Sequence, residues 1–324
     1  MKLLIVGLGS MGKRRARLCK GIDAATQIIG VDTSEERRRE AAGLHLADET
    51  CATIAEAAAL HPDAALVCTA PLTHAAIISE LLDCNLPVFT ELNLVSDGYA
   101  ENMAKAAEKN LPLFLSSTML YRRETQYIKA QVQQFGKPVH YIYHIGQYLP
   151  DWHPWENYKN FFVGNVRTGG VREIFGIDLP WLLDAFGEVE SVTVMKDTLS
   201  DLGLPYPDCV TLLLRHKNGV QGVLAADVVS RKAVRSFECF GDGLHLFWEG
   251  NPKALYEFRD GDKQCVDTYT SFEHDSRYSD NIVENAYVDE LTNFFGVLQG
   301  TETPRWSFEK DLAAIALMDK AEQA

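Results

Sequence analysis

The stretch from Leu3 to Gly12 constrains the fold of this chain more than any other. Its sequence, LLIVGLGSMG, is a short apolar run followed by the pattern G-x-G-x-x-G. The apolar run is typical of a buried strand, and the segment after the pattern, residues 13–20, is typical of a helix. A glycine pattern in this strand–turn–helix setting predicts a dinucleotide-binding turn.

The residues of this turn have separate predicted roles. Gly7 makes the tight turn, Gly9 lets the backbone approach a pyrophosphate, and Gly12 lets the helix pack closely on the strand. Ser10 and Met11 begin the helix, where free N–H groups meet the phosphate charge. The alternative is a glycine-rich turn of some other α/β protein.

Asp32 supports the nucleotide interpretation. It follows a second apolar strand, Gln27–Val31, and an acidic side chain at this distance from Gly12 can accept hydrogen bonds from the adenosine ribose hydroxyls. The three arginines at positions 37–39 form either a clamp for the 2′-phosphate of NADP or a solvated helix face. Because Asp32 repels a phosphate, the sequence favours NAD over NADP.

Composition limits the class of protein. A length of 324 residues suggests two domains, and a net charge of −14 argues against nucleic acid or an anionic membrane as a partner. Seven scattered cysteines without a C-x-x-C pair indicate buried thiols in a reducing cytosol, with neither disulfides nor a metal site. Since the first strand leaves no room for a signal peptide and no apolar run reaches membrane-spanning length, we expect a soluble cytoplasmic protein.

Strands alternate with helices over the first third of the chain, which predicts a doubly wound parallel sheet. Cofactor chemistry then belongs at the carboxyl ends of its strands, where residues 69–74 (TAPLTH) and Glu91 stand. Later the chain is mostly strand, with a hairpin meander over residues 209–229 and patterned helices at 281–298 and 308–324. We therefore expect an α/β protein with a second, large sheet.

These segments resemble the Gfo/Idh/MocA oxidoreductases, the family of glucose-fructose oxidoreductase and inositol dehydrogenase. Residues 69–74 are similar to that family's Thr-Pro-Pro-Ser-Thr-His, and residues 90–93 (TELN) stand where it carries Glu-Lys-Pro. The resemblance implies an NAD(P)-binding Rossmann domain over residues 1–120. It also implies an α/β domain over residues 121–324 with an open, mainly antiparallel sheet, through which a homodimer or homotetramer forms. The C-terminal helix would return to the first domain.

The resemblance also implies a reaction and its cofactor contacts. The reaction is hydride transfer between a nicotinamide cofactor and the CH–OH group of a sugar, nucleotide sugar or cyclitol. The cofactor contacts fall on Thr69, Pro71, His74 and Glu91. His74 has an alternative role as a residue at the start of a helix that satisfies backbone groups.

Two catalytic groups of the family are absent from this chain. The lysine of Glu-Lys-Pro, which polarises or orients the reacting group, is replaced by Leu92, which has no proton to donate and no charge. In the family a Gly-Gly pair opens a helix carrying His-x-x-Asp, and the histidine moves the proton. Matching the aspartate to Asp178 puts Phe175 in the histidine position, whereas counting back from residues 187–189 puts Ile177 there.

An aromatic loop, residues 149–159 (LPDWHPWENYK), offers replacement groups. Its tryptophans and ionisable side chains form either a platform for a pyranose ring or a packed lid. The loop and the helix after it supply the candidates for the proton-transfer group: His153, Tyr158, Lys159, Glu173 and Asp178.

The sequence leaves three functions open. The first, which we favour, is an NAD(P)-dependent oxidoreductase with a non-standard proton-transfer group. The second is an NAD-binding sensor or regulatory protein whose catalysis is altered or lost. The third is a changed reaction, such as imine reduction or NAD-assisted elimination, with different proton demands.

Overall fold

The chain forms two compact units in the computed structural model. The first unit contains Met1–Ser117 and Tyr287–Glu309, and the second contains Thr118–Ala286 and Lys310–Ala324. The structure describes residues 1–152, 154, 156–259, 261–272 and 283–323.

The first unit is built on a six-stranded parallel sheet. Its strands are β1 (Lys2–Val6), β2 (Gln27–Val31), β3 (Glu49–Cys51), β4 (Ala64–Val67), β5 (Val88–Thr90) and β6 (Leu113–Leu115). The strand order is β3-β2-β1-β4-β5-β6, and every neighbouring pair is parallel. The order reverses between β1 and β4, the place where open α/β sheets bind ligands. This arrangement confirms the predicted doubly wound sheet of the Rossmann type.

Helices alternate with these strands along the chain. They are α1 (Ser10–Ile22), α2 (Glu35–Gly43), α3 (Ile54–Ala58), α4 (His74–Asp83) and α5 (Tyr99–Glu108). The central strands β1 and β4 are apolar on both faces and almost wholly buried, as expected for a parallel sheet covered on both sides. Phe89 and Phe114 stack with ring centroids 5.3 Å apart, and Phe294 packs edge-on against both.

The second unit contains an eight-stranded sheet. Its strands are β7 (His140–Gly146), β8 (Val189–Asp197), β9 (Cys209–His216), β10 (Gln221–Asp227), β11 (Val234–Gly241), β12 (Leu244–Trp248), β13 (Leu255–Arg259) and β14 (Asp262–Cys265). The order is β14-β13-β12-β11-β7-β10-β9-β8. Only β7 and β10 pair in parallel, so the expected mainly antiparallel second sheet is confirmed.

One face of this sheet is covered by a helix of the same unit. The other α-helices among the described residues are α6 (Arg123–Phe135), α7 (Gly170–Phe186), α8 (Glu284–Leu298) and α9 (Phe308–Gln323). On β7, the buried Tyr141 and Tyr143 contact Phe186 and Trp181 of α7, with ring centroids 4.6 and 5.5 Å apart. Ile142, between the two tyrosines, points to the opposite face and is 43% exposed.

A helix that crosses a bilayer must be both long and apolar. No helix within the described ranges meets both conditions.

Candidate active site

The glycine turn between β1 and α1 leaves no room for side chains at two of its three glycines. Gly7 has a φ of +93°, and a Cβ there would lie 2.7 Å from the carbonyl oxygen of Cys68. A Cβ on Gly12 would lie 1.8 Å from the carbonyl oxygen of Gly7. Gly9 is different, because a Cβ there would meet no described atom within 4 Å. Gly7 and Gly12 are therefore required for packing, whereas Gly9 leaves open space beside the backbone.

Helix α1 begins in that open space. Gly9 is its N-cap residue, and within the described chain no side chain caps the helix. The N–H groups of Ser10 and Met11 belong to the first turn, which has no partner inside a helix. The N-terminus of α1 therefore offers donors and a partial positive charge to an anion, as a dinucleotide pyrophosphate requires.

Asp32 stands at the end of β2, next to this turn. Its Oδ2 accepts a hydrogen bond from the N–H of Leu8 at 2.9 Å, and its Oδ1 accepts one from the N–H of Ser34 at 2.8 Å. The carboxylate is thereby fixed, and each oxygen keeps a lone pair for a ribose hydroxyl. Nη1 of Arg37 lies 3.7 Å from Oδ2, so the nearest arginine is attracted to the carboxylate.

The other two arginines, Arg38 and Arg39, also have partners among the neighbouring residues 32–35. Arg38 donates to the carbonyl oxygens of Asp32 and Thr33, and Arg39 pairs with Glu35 four residues earlier on α2. The structure therefore supplies carboxylate and carbonyl partners for all three arginines at positions 37–39.

His74 joins the loop after β4 to the loop after β5. Its Nε2 lies 2.9 Å from the carbonyl oxygen of Thr69, and its Nδ1 lies 2.7 Å from Oδ1 of Asn93. Burial lowers the pKa of His74, so the imidazole is neutral and donates only once. Since a carbonyl oxygen can only accept, Nε2 donates to Thr69 and Nδ1 is left as an acceptor. The donor to Nδ1 is then either the hydroxyl of Thr90, 3.3 Å away, or the amide NH₂ of Asn93 after that amide is turned by 180°. His74 therefore orients the segment that contains Thr69 and Pro71.

Glu91 is held by an arginine that lies far from it in the sequence. Nε and Nη2 of the fully buried Arg15 donate to the two carboxylate oxygens of Glu91 at 2.6 and 3.1 Å. Nη2 also reaches Glu290 at 2.7 Å. The Arg15 guanidinium lies over the ring of Phe89, 4.7 Å from its centroid. The orientation of Glu91 is therefore fixed by a buried ion pair.

Glu290 completes this network. It accepts hydrogen bonds from the hydroxyl of Ser116 at 3.0 Å and the N–H of Ser117 at 2.7 Å. Burial raises the pKa of Glu290, and Arg15 opposes that rise. Sequence reasoning missed Arg15 and Glu290, since they are 275 positions apart and no local pattern links them.

In the second unit, the Gly-Gly pair fixes the start of α7. A Cβ on Gly169 would lie 2.7 Å from the ring of Tyr206, so only glycine allows this approach. The Tyr206 hydroxyl accepts a hydrogen bond from the N–H of Gly170 at 2.9 Å and donates one to the carbonyl oxygen of Val163. Glu173 follows in the first turn of the helix. Its position is therefore set by this tightly packed helix start.

Glu173 lies in a cavity of about 150 Å³. Its Oε2 is enclosed and has no hydrogen-bond partner among the described residues. Burial raises the pKa of Glu173 from 4.5 to about 8, so the carboxyl group is protonated and neutral at pH 7. The cavity is lined by Ile145, Gly146, Gln147, Trp152, Glu173, Ile174, Ile177, Ala233, Val234 and Arg235.

Asp178 is buried beside the same cavity in an ion pair with Arg235. Oδ1 of Asp178 also accepts hydrogen bonds from the hydroxyl of Tyr143 at 2.7 Å and from the indole N–H of Trp181 at 2.9 Å. Arg235 itself lines the cavity. The structure thus brings Glu173 and the Asp178–Arg235 pair to one place, although Asp178 contacts the cavity only through its partner.

The aromatic loop is placed only in part. Tyr158 donates its hydroxyl to the carbonyl oxygen of Leu202 at 3.0 Å, and Lys159 is exposed with Nζ 6.0 Å from the Tyr158 ring. Neither side chain is among the described residues that line the cavity, whereas Trp152 is. His153 lies outside the described residues.

Comparison with known proteins agrees with this geometry. The family model described as the oxidoreductase family with an NAD-binding Rossmann fold, Gfo/Idh/MocA, matches residues 1–115. A search of the curated proteins finds no match to the sequence. The first unit is thus an NAD-binding Rossmann domain. Over these residues the chain matches the Gfo/Idh/MocA oxidoreductase family model, as the resemblance in the sequence predicted.

Solved structures share the fold along the whole chain. An oxidoreductase from Agrobacterium radiobacter, in complex with NAD+, L-tartaric acid and magnesium, has a TM-score of 0.81 at 14% identity, covering 100% of this chain and 95% of that one. UDP-N-acetylglucosamine 3-dehydrogenase GnnA from Acidithiobacillus ferrooxidans has a TM-score of 0.78 at 16% identity, covering 100% of this chain and 97% of that one. The WlbA dehydrogenase from Bordetella pertussis, in complex with NADH and UDP-GlcNAcA, has a TM-score of 0.78 at 15% identity, covering 100% of this chain and 95% of that one.

Proposed function

We propose that this protein is an NAD-dependent oxidoreductase that acts on a CH–OH group of a sugar, nucleotide sugar or cyclitol, with Glu173 as the group that transfers the hydroxyl proton. The observation that carries the proposal is the enclosed Oε2 of Glu173, which has no hydrogen-bond partner among the described residues, at a cavity of the second unit. A general acid or base works best when its pKa is near the operating pH, and burial brings the pKa of Glu173 to about 8.

The first unit would hold the cofactor. The open backbone at Gly9 and the first turn of α1 fit a pyrophosphate, and the fixed carboxylate of Asp32 fits the adenosine ribose. Asp32 also supports NAD over NADP, because its charge disfavours a 2′-phosphate. Bound NAD would supply the hydride acceptor, or NADH the hydride donor.

The residues of the second unit would handle the substrate and its proton. In the reducing direction, neutral Glu173 donates its proton to the substrate oxygen as a carbonyl becomes a hydroxyl. In the oxidising direction, ionised Glu173 takes that proton as the hydroxyl becomes a carbonyl. The indole of Trp152 gives the cavity a flat apolar surface for the C–H face of a sugar ring. The UDP-sugars named for the GnnA and WlbA structures support a nucleotide sugar among the substrates.

Turnover assays with a cofactor and substrate panel test this proposal. The protein is mixed with NAD or NADH and with sugars, nucleotide sugars, sugar acids and the corresponding keto compounds. Glu173→Gln should bind NADH normally and lower kcat by about 10²–10⁴-fold. Asp184→Asn, on the same helix and paired with the partly exposed Lys129, is the matched control and should retain activity. NADH binding without turnover of any panel member would overturn the proposal in favour of an NAD-binding sensor.

The pH profile supplies a second test of Glu173. Reduction needs the protonated carboxyl group, so kcat should fall as pH rises through about 8. Oxidation needs the carboxylate, so kcat should rise over the same interval. A profile without this opposition between the two directions would exclude Glu173 as the proton-transfer group.

We also propose that a second copy of this chain covers the open face of the eight-stranded sheet. Ile142 and Leu213 on that face are 43% and 49% exposed, and they lie on different strands. Light scattering after gel filtration should give a dimer or tetramer, and Ile142→Glu should shift it toward monomer.

All seven cysteines are free thiols, which supports a reducing, cytoplasmic location.

A further inference from the structure

The guanidinium group of Arg235 is used on one side only. Its Nη1 donates to the hydroxyl of Tyr143 at 2.9 Å and to Asp178. Its Nε and Nη2 form no hydrogen bond with any residue that the structure describes. The side chain is 13% accessible and lines the cavity that contains Glu173. The Nε–Nη2 edge, with its parallel N–H groups, is therefore open to a ligand.

Two other buried arginines of the chain show what this edge binds. Arg15 directs Nε and Nη2 to the two oxygens of Glu91, at 2.6 and 3.1 Å. Arg122 directs the same two atoms to Glu124, at 3.0 and 2.5 Å. In both cases the partner is a carboxylate held by two parallel bonds, the geometry that a guanidinium fork favours.

The orientation of Arg235 is set before any ligand binds. Asp178, which holds Nη1, is fully buried and fixed in turn by Tyr143 and Trp181. Gly250 clears the path of the side chain, because a Cβ there would lie 2.6 Å from Cβ of Arg235. A fixed fork loses little side-chain entropy when it binds, so its open edge is suited to a specific ligand group.

The charge and size of the cavity fit an acidic group. The only acidic side chain among the described lining residues is Glu173, whose protonated form does not repel an anion. The volume of about 150 Å³ is comparable with an engineered cavity that accommodates benzene, so a carboxylate and the adjoining carbons fit.

We infer that the substrate is a sugar acid or a related hydroxy acid, whose carboxylate binds the Nε–Nη2 edge of Arg235 beside Glu173. This inference rests on the proposed function, because it names the substrate class of the same cavity. Arg235 would thus determine specificity for an acidic over a neutral sugar, while Glu173 transfers the proton.

Matched ligand pairs test the inference by calorimetry and thermal shift on the full chain at pH 6.5, with and without NADH. The pairs are D-glucuronate with D-glucose, D-galacturonate with D-galactose, and UDP-glucuronate with UDP-glucose. At least one acidic member should bind about tenfold or more tightly than its neutral counterpart. Equal affinity within every pair would overturn the inference.

A variant of Arg235 localises the effect. Arg235→Lys keeps the positive charge beside Asp178 but lacks the fork, so it should fold and lose the preference for the acidic member. Arg259→Lys, at an exposed arginine paired with Glu257, is the control and should keep it. An unchanged preference in Arg235→Lys would overturn the assignment.

The two proposals fail in different ways. Turnover of neutral sugars with no preference for acids would leave the oxidoreductase intact and refute the carboxylate site. Acid-selective binding that Arg235→Lys abolishes, in a protein that binds no NADH, would support the carboxylate site and refute the oxidoreductase.

Discussion

Glu173→Gln should stabilise the protein, and by an amount that grows with pH. The folded-state pKa of Glu173, about 8, is above its ordinary value of 4.5, because burial disfavours the charged form. Between these two values the unfolded chain releases the proton and the folded chain keeps it. Stability from this group is therefore fully present below pH 4.5 and is lost as pH rises to about 8. The amide of glutamine does not ionise in this pH range, so the variant does not lose stability as the pH rises.

The displaced pKa sets the size of the effect. At 1.36 kcal/mol for each tenfold change in proton affinity, the shift from 4.5 to about 8 corresponds to at most about 5 kcal/mol above pH 8. At pH 7 the expected difference is about 3 kcal/mol, and at pH 4.5 it is close to zero. For domains of this size, about 5 kcal/mol corresponds to a Tm difference of roughly 10–20 °C.

Urea unfolding and thermal melts at pH 5, 7 and 8.5 measure this difference directly. Asp184→Asn removes a partly exposed carboxylate from the same helix, and its effect should be similar at pH 7 and 8.5. If Glu173→Gln differed from the parent protein by the same amount at all three pH values, Glu173 would not be a desolvated carboxyl group. Its proposed part in proton transfer would then lose its physical basis.

The first unit yields three more expected outcomes. Gly12→Ala puts a methyl group 1.8 Å from the Gly7 carbonyl oxygen and should lower both Tm and NADH affinity, whereas Gly9→Ala, with no described atom within 4 Å, should weaken NADH binding at an unchanged Tm. Equal losses of Tm would contradict this contrast. Arg15→Met, which removes the cation that Glu91 and Glu290 share, should cost about 3–5 kcal/mol in urea unfolding, and adding Glu290→Gln should restore part of it. Strictly additive losses would refute the shared network. Asp32→Ser should weaken NADH binding about tenfold in calorimetry and raise the NADPH-to-NADH affinity ratio, and an unchanged ratio would remove Asp32 from the cofactor site.

The fold class and the glycine turn could be predicted because their signals are local. Spacing alone identified Gly7 and Gly12, and at each position a Cβ would clash with backbone. The alternation of strands and helices was likewise enough to predict the parallel sheet, because each βα unit carries its own hydrophobic pattern. The roles in cofactor binding remain predictions.

The arrangement around Glu173 could not be predicted in the same way. The sequence placed Glu173 among several candidates, but its cavity is formed by β7, α7 and the segment that leads into β11, which are far apart in the chain. Arg235 carried no local signal at all. Its importance comes from Asp178, 57 positions earlier, which occupies one side of the guanidinium and leaves the other open. Contacts of this kind depend on tertiary packing rather than on spacing.

The late position of Glu290 and Phe294 has a consequence during protein synthesis. When the ribosome has made the whole parallel sheet, Arg15 has only one of its two carboxylate partners, and the stacked rings of Phe89 and Phe114 still lack their edge-on neighbour. The first unit cannot complete its interior until the segment Tyr287–Glu309, which contains Glu290 and Phe294, has also emerged. The parallel sheet therefore stays incompletely packed while the ribosome translates Thr118–Ala286 of the second unit.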